Sequence, residues 1–287
     1  MPEQFTKVQF TNLDKVLYPA LRITKAKVIE YYVKKAPDML ELLFNRPAVL
    51  TRFPNGVDSE GFYEKDAPIG TPPWVKIFRR YSEIAQKEIA YILCNDLDTL
   101  VWLANLAALE IHIILSRRDS YEHPDFVLFD IDPEPPAGFD DAISTTLLLR
   151  EKLDTLSLRS YVKTSGKKGL HIVIPIVNEY TYRKTREFAH QIGKQLTKES
   201  EIVVSEFSQS RDPGTVFIDY LQNSHGRTMI CPYSLRATPQ ATVSTPLAWK
   251  DVKKGLKPEE FNLSTVTKVE SSPWKELLET RQRLEVS

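Results

Sequence analysis

The sequence predicts an α+β fold in which two helices cover one face of a β-sheet. Beyond residue 125, strand-like runs and amphipathic helical segments follow one another in the order strand, helix, strand pair, helix, strand. Of the 287 residues 42% are hydrophobic, enough for a substantial core in one large domain or in two lobes around a cleft. The order of elements is typical of a ferredoxin-like unit.

The first part of the chain predicts an N-terminal lobe of mixed elements. A helix is expected at 24–36, because Thr24 can cap it and Pro37 can end it. A strand is expected at 48–53 and a Gly- and Pro-rich loop at 56–74. Two further strands are expected near 76–80 and near 89–93, and an apolar helix at 96–109. A loop of that length in a compact domain often carries function.

The second part predicts the sheet and its two helices. We expect a strand at 126–132, a helix at 139–156 and a pair of strands at 161–176. A second helix is expected at 181–200 and a last strand at 215–221. Roughly the last fifty residues predict a wrap of loops and short helices. Because no linker is recognisable, we expect one unit over 1–287, with approximate lobes at 1–110 and 111–287.

Charge is balanced overall but unevenly distributed. The 38 basic and 38 acidic residues give no net charge from which a nucleic-acid partner could be argued. Residues 1–35 hold seven Lys or Arg against three Asp or Glu, residues 159–186 hold seven against one, and residues 119–154 hold ten acids against two bases. This segregation suits an acidic metal site flanked by surfaces for a polyanion, although charge runs are often only solvated faces.

Cysteine usage and hydropathy argue against several classes of protein. Cys94 and Cys231 form no CxxC or Cys/His cluster, so a structural zinc or a disulfide framework is not expected, and a reducing, intracellular compartment is. The N-terminus has no apolar signal core, and polar residues interrupt the most apolar stretch, at 97–115. We expect a buried helix that runs into a further apolar segment there, and no membrane partner.

Two aspartates interrupt the apolar run FVLFDIDPEPP at 126–136. Alternate side chains of a strand share a face, so Asp130 and Asp132 project to the same side. Two carboxylates this close repel each other, and a divalent cation, a nearby Arg or Lys, or a raised pKa of one carboxyl could offset the repulsion. The alternative is that the strand ends and both acids are solvated in a proline-bounded loop.

A third acid, Asp219, lies in the strand-like run VFIDY, where it is costly if buried without a partner. It could complete a two-cation site with Asp130 and Asp132, because carboxylates, phosphate oxygens and water are suitable ligands for such ions. The alternative is an edge-strand acid that faces water.

The turn in KTSGKKGLH combines groups that suit an anion. Ser165 offers a hydroxyl, two glycines let the backbone approach, and two lysines and His171 supply positive charge. The spacing is not that of a Walker A loop, and an ordinary solvent-exposed hairpin turn is the alternative. Arg211 and Arg236 are further anion-binding candidates unless they form surface ion pairs.

Four motifs, taken in order, resemble a known family. DIDP, SGKKGLHIVIP, VFIDYLQN and CPYSLRATPQATVSTPLAW occur in the order and spacing of the polymerase domain of bacterial ligase D and its stand-alone archaeal relatives. This is the non-homologous end-joining branch of the archaeo-eukaryotic primase superfamily, and the similarity extends from TNLDKVLYP across nearly the whole chain. The resemblance implies a ferredoxin-like, RRM-like primase-polymerase core with an N-terminal lobe and a C-terminal wrap.

The resemblance also implies the residues of a polymerase active site. Asp130, Asp132 and Asp219 would be catalytic and would hold two ions, Mg²⁺ or Mn²⁺, that act on the primer 3′-hydroxyl and on the triphosphate. The implied contacts to the incoming NTP or dNTP are His112 near the sugar, Ser165, Gly166, Lys168, His171, Arg211, Gln222 and Arg236, and additionally Arg52, which could instead contact the template. For His112 the alternative is a histidine satisfied at a helix end.

On the DNA side, the resemblance implies two groups of contacts. Lys15 and Lys25 would grip a 5′-phosphate on the downstream strand of a break, a contact that fixes register without reading sequence. Phe62 and Tyr63, in the Gly- and Pro-rich loop, would stack against template bases.

The implied activity is nucleotide addition, preferably of ribonucleotides, at DNA 3′ ends, gaps and overhangs in double-strand break repair, and primase activity is possible. Ku, a DNA ligase and an end-processing nuclease or phosphoesterase would act in trans, unless the chain is a domain of a larger protein. The implied location is the prokaryotic cytoplasm, with nucleoid association during repair.

Two rival interpretations stay open at this point. A metal-dependent nuclease would use the same carboxylates with water as the nucleophile, but it needs no triphosphate cradle such as Lys168 and Arg236 offer. A non-catalytic module that binds DNA ends or single strands would keep the aromatics and basic patches, but three clustered carboxylates would only burden its folding.

Overall fold

The computed structural model describes residues 7–83, 85–208 and 211–284. The helices within these ranges are α1 Lys25–Leu43, α2 Leu97–Asn105, α3 Phe139–Thr155, α4 Tyr182–Leu196 and α5 Leu263–Val266. The strands are β1 Val16–Tyr18, β2 Ile23–Thr24, β3 Pro47–Arg52, β4 Phe62–Glu64, β5 Lys76–Ser82, β6 Lys87–Leu93, β7 Ala108–Ile114, β8 Phe126–Pro133, β9 Tyr161–Thr164, β10 Leu170–Pro175, β11 Val203–Val204, β12 Val216–Asp219, β13 Thr228–Ile230 and β14 Pro246–Leu247. None of these helices is long and apolar enough to span a membrane.

One of the two six-stranded sheets has the strand order β11-β12-β8-β10-β9-β14. Its four central strands are antiparallel to one another. Helix α3 connects β8 to β9, and α4 leads from β10 towards β12. Apolar residues of both helices share one core with alternate residues of β8, which puts both helices on the same face. This arrangement confirms the predicted ferredoxin-like core; we call it the ferredoxin-like sheet.

A second sheet, the N-terminal sheet, has the order β13-β7-β3-β6-β5, and β4 pairs with β3. Helices α1 and α2 pack together, and their buried residues form one core with this sheet. Strand β7 spans the expected division at 110/111, and β13 returns to this sheet from residues 228–230. That residues 1–287 form a single unit stays a prediction. The N-terminal sheet crosses the approximate boundary between the two expected lobes.

Strand β8 connects the two cores. Val127 and Phe129 pack in the core beneath α3 and α4, whereas Phe126 and Leu128 belong to the core of the N-terminal sheet. Side chains alternate between the faces of a strand, so Asp130 continues the second set. It projects beyond the edge of the N-terminal core, into a cleft between the sheets.

The first helix is longer than its sequence predicts. Helix α1 continues through Pro37 to Leu43, so the predicted end at Pro37 is wrong. A proline inside a helix removes a backbone hydrogen bond and costs stability. Met39 and Leu42 beyond the proline are buried in the N-terminal core, and their burial offsets that cost.

The apolar segment after residue 96 divides differently from the prediction. Helix α2 ends at Asn105, not at 109, because Ala107 takes a left-handed φ of 56° and redirects the chain into β7. His112 therefore lies within a strand, and its interpretation as a helix-end histidine is wrong.

Two smaller differences concern strands. The loop at 56–74 contains β4, which pairs with β3. Strand β12 lies between β11 and β8 and is not an edge strand, although Asp219, its last residue, lies beyond the two residues that pair with β11. The C-terminal wrap is as expected, with single turns of 3₁₀ helix and the one-turn helix α5.

Candidate active site

Four ionisable side chains form a row across the ferredoxin-like sheet. The strand register places Asp219 of β12 opposite Asp130 of β8. His171 of β10 lies opposite Asp130, and Lys163 of β9 lies opposite His171. Directly opposed residues of neighbouring strands project to the same face. We call these four residues the charged row; Asp132, two residues beyond Asp130, shares its face.

The middle of the charged row is internally compensated. His171 Nε2 lies 3.2 Å from Asp130 Oδ1. Burial raises the pKa of Asp130, but the contact with His171 and the charge of Lys163 outweigh that effect, so the pKa lies below its usual value. Burial and the positive charge of Lys163 lower the pKa of His171 to about 4. At neutral pH Asp130 is therefore an ionised carboxylate beside a neutral imidazole.

The other two aspartates retain more uncompensated charge. Burial and the negative charge of Asp130 raise the pKa of both Asp132 and Asp219. Arg211 Nη1 lies 3.3 Å from Asp132 Oδ2. Asp219 accepts hydrogen bonds from the Leu221 backbone N–H at 2.9 Å and from the Gln222 side-chain amide at 3.2 Å. The site thus concentrates negative charge that the protein only partly offsets.

The chemistry of these donors fits a hard divalent cation, which prefers carboxylate oxygens. Among the residues that the structure describes, no three His, Cys, Asp or Glu side chains are gathered closely enough, as they stand, to hold a metal ion. In the structure Asp132 contacts Arg211 and Asp219 contacts Gln222. Coordination by both aspartates would compete with these two contacts.

The turn between β9 and β10 packs tightly beside the charged row. The Ser165 hydroxyl accepts hydrogen bonds from the backbone N–H groups of Lys167 and Gly169, each at 3.2 Å. Gly166 has a φ of 74°, and a Cβ there would lie 2.5 Å from Arg236 Cγ. A Cβ on Gly169 would lie 2.1 Å from the Ile131 carbonyl oxygen, between the two aspartates of β8. Only glycine allows these approaches.

Two cations flank this turn. Arg236 is buried, and its Nη1 donates to the Ser165 carbonyl oxygen at 3.0 Å. Lys168 is half exposed, and its Nζ lies 3.6 Å from Glu134 Oε2. A buried guanidinium and a half-exposed ammonium beside the Ser165 hydroxyl suit an anion with several oxygens.

A cleft of about 1340 Å³ brings most of the predicted site residues together. Its walls come from both sheets. The predicted residues that line it are Tyr63, His112, Asp130, Asp132, Ser165, Lys168, His171, Gln222 and Arg236. Asp219 and Arg211 reach this group through their contacts with Gln222 and Asp132. The structure therefore brings the predicted carboxylates and the turn between β9 and β10 to one place in the fold.

Three other predicted residues form a separate group, the N-terminal cation cluster of Lys15, Lys25 and Arg52. The Lys25 Nζ is buried and donates to the Thr11 carbonyl oxygen at 2.8 Å. Burial lowers the pKa of Lys25, and the charges of Lys15 and Arg52 lower it further. Arg52, expected at the nucleotide or template, is not among the residues that line the cleft; it pairs with Glu64 at 3.1 Å.

The two predicted stacking aromatics lie on β4 and are both more than half exposed. They alternate along the strand, so they project to opposite faces. Tyr63 faces the cleft, and its ring lies edge-on to His112 with centroids 6.3 Å apart. Phe62 does not line the cleft.

The sequence analysis missed Lys163 and Glu110. Lys163 is fully buried, and its Nζ donates to the Ser244 hydroxyl at 2.6 Å. Glu110 is buried beside Arg236. Each is a lone charge in an apolar, strand-like run, which is the same signal that singled out Asp219, so both could have been found by it.

Comparisons with known proteins agree with this geometry. The family model of the LigD primase-polymerase domain matches residues 24–274. The chain is 35% identical over 266 residues to the bifunctional non-homologous end joining protein LigD of Bacillus subtilis, covering 91% of this chain and 42% of that protein. It is 33% identical over 255 residues to the multifunctional non-homologous end joining protein LigD of Mycolicibacterium smegmatis, covering 87% and 33% respectively. The chain thus spans well under half of either relative.

A solved structure supports the same assignment. The polymerase domain from Mycobacterium tuberculosis ligase D in complex with DNA matches with a TM-score of 0.87 at 29% sequence identity, covering 96% of this chain and 99% of that one. The predicted fold and enzyme class are thereby confirmed: this is a polymerase domain of the nucleotidyltransferase class, and enzymes of this kind use divalent metals. The chain belongs to the LigD primase-polymerase domain family.

Proposed function

We propose that this polymerase domain adds nucleotides to DNA 3′ ends at gaps, overhangs and double-strand breaks during non-homologous end joining. One observation carries the proposal: Asp130 and Asp132 line the same cleft as Ser165, Lys168 and Arg236. Phosphoryl transfer from a triphosphate needs carboxylates for cations and cationic donors for phosphate oxygens at one place. A nuclease would need the carboxylates alone.

Asp130, Asp132 and Asp219 would hold two divalent cations, either Mg²⁺ or Mn²⁺. When bound, such ions lower the pKa of the primer 3′-hydroxyl and neutralise the triphosphate. The protein contributes the ionised Asp130, held by its contact with His171. Arg211 and Gln222 compete for Asp132 and Asp219, so both contacts loosen when these carboxylates act as ligands.

The incoming nucleotide would lie along the turn between β9 and β10. Ser165, Gly166, Lys168, His171 and Arg236 would face its phosphates. The neutral His171 adds a hydrogen-bonding group to the pocket without adding a positive charge. His112 and Gln222 line the same cleft and would border the sugar and the rest of the pocket. Preference for ribonucleotides over deoxyribonucleotides is part of this proposal.

DNA would be held at two places outside this pocket. Lys15 and Lys25 would bind a downstream 5′-phosphate, which supplies the negative charge that these ammonium groups lack among their neutral partners Asn55 and Thr11. Arg52 joins that group by its position near Lys25. Tyr63 and Phe62 would stack against template bases.

The cellular setting follows from the relatives that are named as end-joining proteins. Repair of a break would also require Ku, a DNA ligase and an end-processing nuclease or phosphoesterase, supplied in trans or by a longer protein. The reaction would take place in the prokaryotic cytoplasm, on DNA of the nucleoid.

The test is extension of a labelled primer on gapped DNA with a downstream 5′-phosphate, with Mn²⁺ or Mg²⁺ and either NTPs or dNTPs. The wild type is compared with Asp130→Ala/Asp132→Ala and with the matched control Asp154→Ala, an exposed acid at the C-terminal end of α3. We expect the double variant to lose about a thousandfold or more in rate, while it binds the gap as tightly as wild type.

Extension by the double variant at the wild-type rate would overturn the assignment of these carboxylates. Shortening of the primer by the wild type would point to a nuclease. Binding without any addition by the wild type would point to a non-catalytic module. More rapid addition from NTPs than from dNTPs is the expected sign of ribose preference.

A further inference from the structure

Glu110 of β7 is a buried acid at the wall of the nucleotide pocket whose role the proposed reaction leaves open. Its Oε1 accepts a hydrogen bond from Arg236 Nε at 3.1 Å and another from the Ala237 backbone N–H at 3.1 Å. Its Oε2 lies 3.4 Å from His112 Nε2, and Lys167 Nζ lies 3.7 Å from Oε1. Four groups from three segments, Arg236 with Ala237, Lys167, and His112 of β7 itself, therefore converge on one carboxylate.

Glu110 and Ser165 together fix the orientation of the Arg236 guanidinium. Nε is bonded to Glu110 on one side, and Nη1 is bonded to the Ser165 carbonyl oxygen at 3.0 Å on the other. A guanidinium is planar and carries five N–H groups in a fixed fork, so two such bonds define its plane. The N–H groups that remain are then aimed in a set direction at the cleft.

The position of the whole Arg236 segment depends on the same carboxylate. The bond from the Ala237 N–H ties the backbone next to Arg236 to β7. On the opposite side, Gly166 approaches Arg236 Cγ so closely that a Cβ would lie 2.5 Å away. Arg236 is thus held between β7 and the turn between β9 and β10. A shift of Arg236 would therefore also displace these two neighbours.

An ordinary structural ion pair would need only charge neutralisation. Glu110 does more, because its two oxygens take four partners and one of these is an uncharged backbone N–H. Such a network places groups by the reach of the side chain as well as by its charge. Reach and charge can be separated experimentally, because Asp keeps the charge and Gln keeps the reach.

We propose that Glu110 is a positioning residue, which sets the guanidinium of Arg236 in the orientation that binds the triphosphate of the incoming nucleotide. The inference rests on the proposed function, since it assumes that Arg236 contacts the triphosphate. It assigns to Glu110 a geometric role and no contact with substrate.

The test compares Glu110→Asp with Glu110→Gln in gap extension, with kcat and KM for NTP measured separately and thermal unfolding recorded for each. Glu110→Asp withdraws the carboxylate by one methylene and breaks the bonds to Arg236 and Ala237. Glu110→Gln keeps an oxygen within reach of both. The matched controls are Glu276→Asp and Glu276→Gln, because Glu276 pairs with Arg159 at 2.7 Å far from the cleft.

We expect Glu110→Asp to raise KM for NTP about tenfold with kcat within about threefold, while Glu110→Gln stays within about threefold in both. Both variants should bind gapped DNA as wild type does. Equal or greater damage from Glu110→Gln would show that charge and not geometry matters, and would overturn the proposal, as would an unchanged KM in both. If the wild type itself adds no nucleotide, the proposed function has failed, and binding of NTP to the three proteins still tests Glu110.

Discussion

Two charged regions of the molecule differ in how the protein compensates them. In the charged row, carboxylates meet N–H donors, as Asp130 meets His171 on the neighbouring strand and Asp219 meets the Leu221 backbone N–H. In the N-terminal cation cluster, ammonium groups meet uncharged oxygens, as Lys25 meets the Thr11 carbonyl. Burial and the charge of Asp130 raise the pKa of Asp219 in the first region, and burial and the charges of Lys15 and Arg52 lower the pKa of Lys25 in the second, so each region gathers charges of one sign.

The difference indicates which ligand each region binds and how precisely the region must position that ligand. Retained negative charge suits a metal ion, and retained positive charge suits a phosphate. The four residues of the charged row lie on four adjacent antiparallel strands, β12, β8, β10 and β9. A small displacement of one strand therefore changes the distances between these residues. Long lysine side chains can adjust to a phosphate instead. Substitutions near the row should therefore cost activity steeply, and substitutions in the cluster should cost affinity moderately.

Among the single substitutions that test this comparison, the largest effect is expected from Gly169→Ala. The added Cβ would lie 2.1 Å from the Ile131 carbonyl oxygen, so β8 must shift between Asp130 and Asp132. A displacement of about 1 Å at a reacting centre can cost about a hundredfold in rate. We expect nucleotide addition to fall by about that factor, measured by single-turnover gap extension, with unfolding destabilised by about 1–3 kcal/mol.

Gly138→Ala is the matched control for this substitution. An added Cβ at Gly138 meets no atom within 4 Å, and its φ of −121° is open to alanine. Activity should stay near that of wild type. If Gly169→Ala kept full activity, the close placement of the turn against β8 would not matter for the reaction, and the contrast between the two regions would lose its basis.

A moderate effect is expected from Lys25→Met in the N-terminal cation cluster. Loss of one phosphate contact should reduce the preference for 5′-phosphorylated over 5′-hydroxyl gaps about tenfold and lower the salt dependence of binding by roughly one ion. Binding is measured by titration at several salt concentrations. Lys27→Met, which removes a lysine paired with Glu30 on the exposed side of α1, is the control and should change neither quantity. Equal losses in both variants would remove any special role of Lys25.

The smallest effect concerns pH. Burial and the charges of Lys15 and Arg52 lower the pKa of Lys25 below its unfolded value of about 10.4. Between the two values the folded state binds fewer protons than the unfolded state, so the free energy of unfolding rises with pH in that window. Relative to Lys25→Met, the free energy of unfolding of wild type should rise with pH below about pH 10.4 and level off above it, measured by urea unfolding. A constant difference across that range would contradict a lowered pKa.

The order of elements beyond residue 125 could be predicted because their apolar periodicity agrees with their packing. Val127, Phe129 and Ile131 alternate with the residues of the other face, as a strand between two layers requires. The prediction was wrong where distant contacts decide. Pro37 lies inside α1 because burial of the residues after it stabilises the longer helix. Ala107 adopts a left-handed φ that no local sequence signal indicates.

The candidate site could be predicted in part. Acids and a glycine turn in apolar runs indicated which residues matter, but only the register shows that Asp219 lies opposite Asp130. The resemblance implied that Arg52 contacts the nucleotide or the template, whereas in the structure Arg52 follows a register shift of β3 against β7 and pairs with Glu64 outside the cleft. The roles of the individual residues stay predictions.

The pairing of β13 with β7 has a consequence for synthesis of the chain on the ribosome. Residues 228–230 complete a sheet whose other strands lie before residue 115. Until they emerge, β7 is an edge strand with Ile111 and Ile113 in it, and such edges recruit unwanted partners. Nascent chains stalled before residue 228 should therefore be more prone to aggregation than those released beyond it.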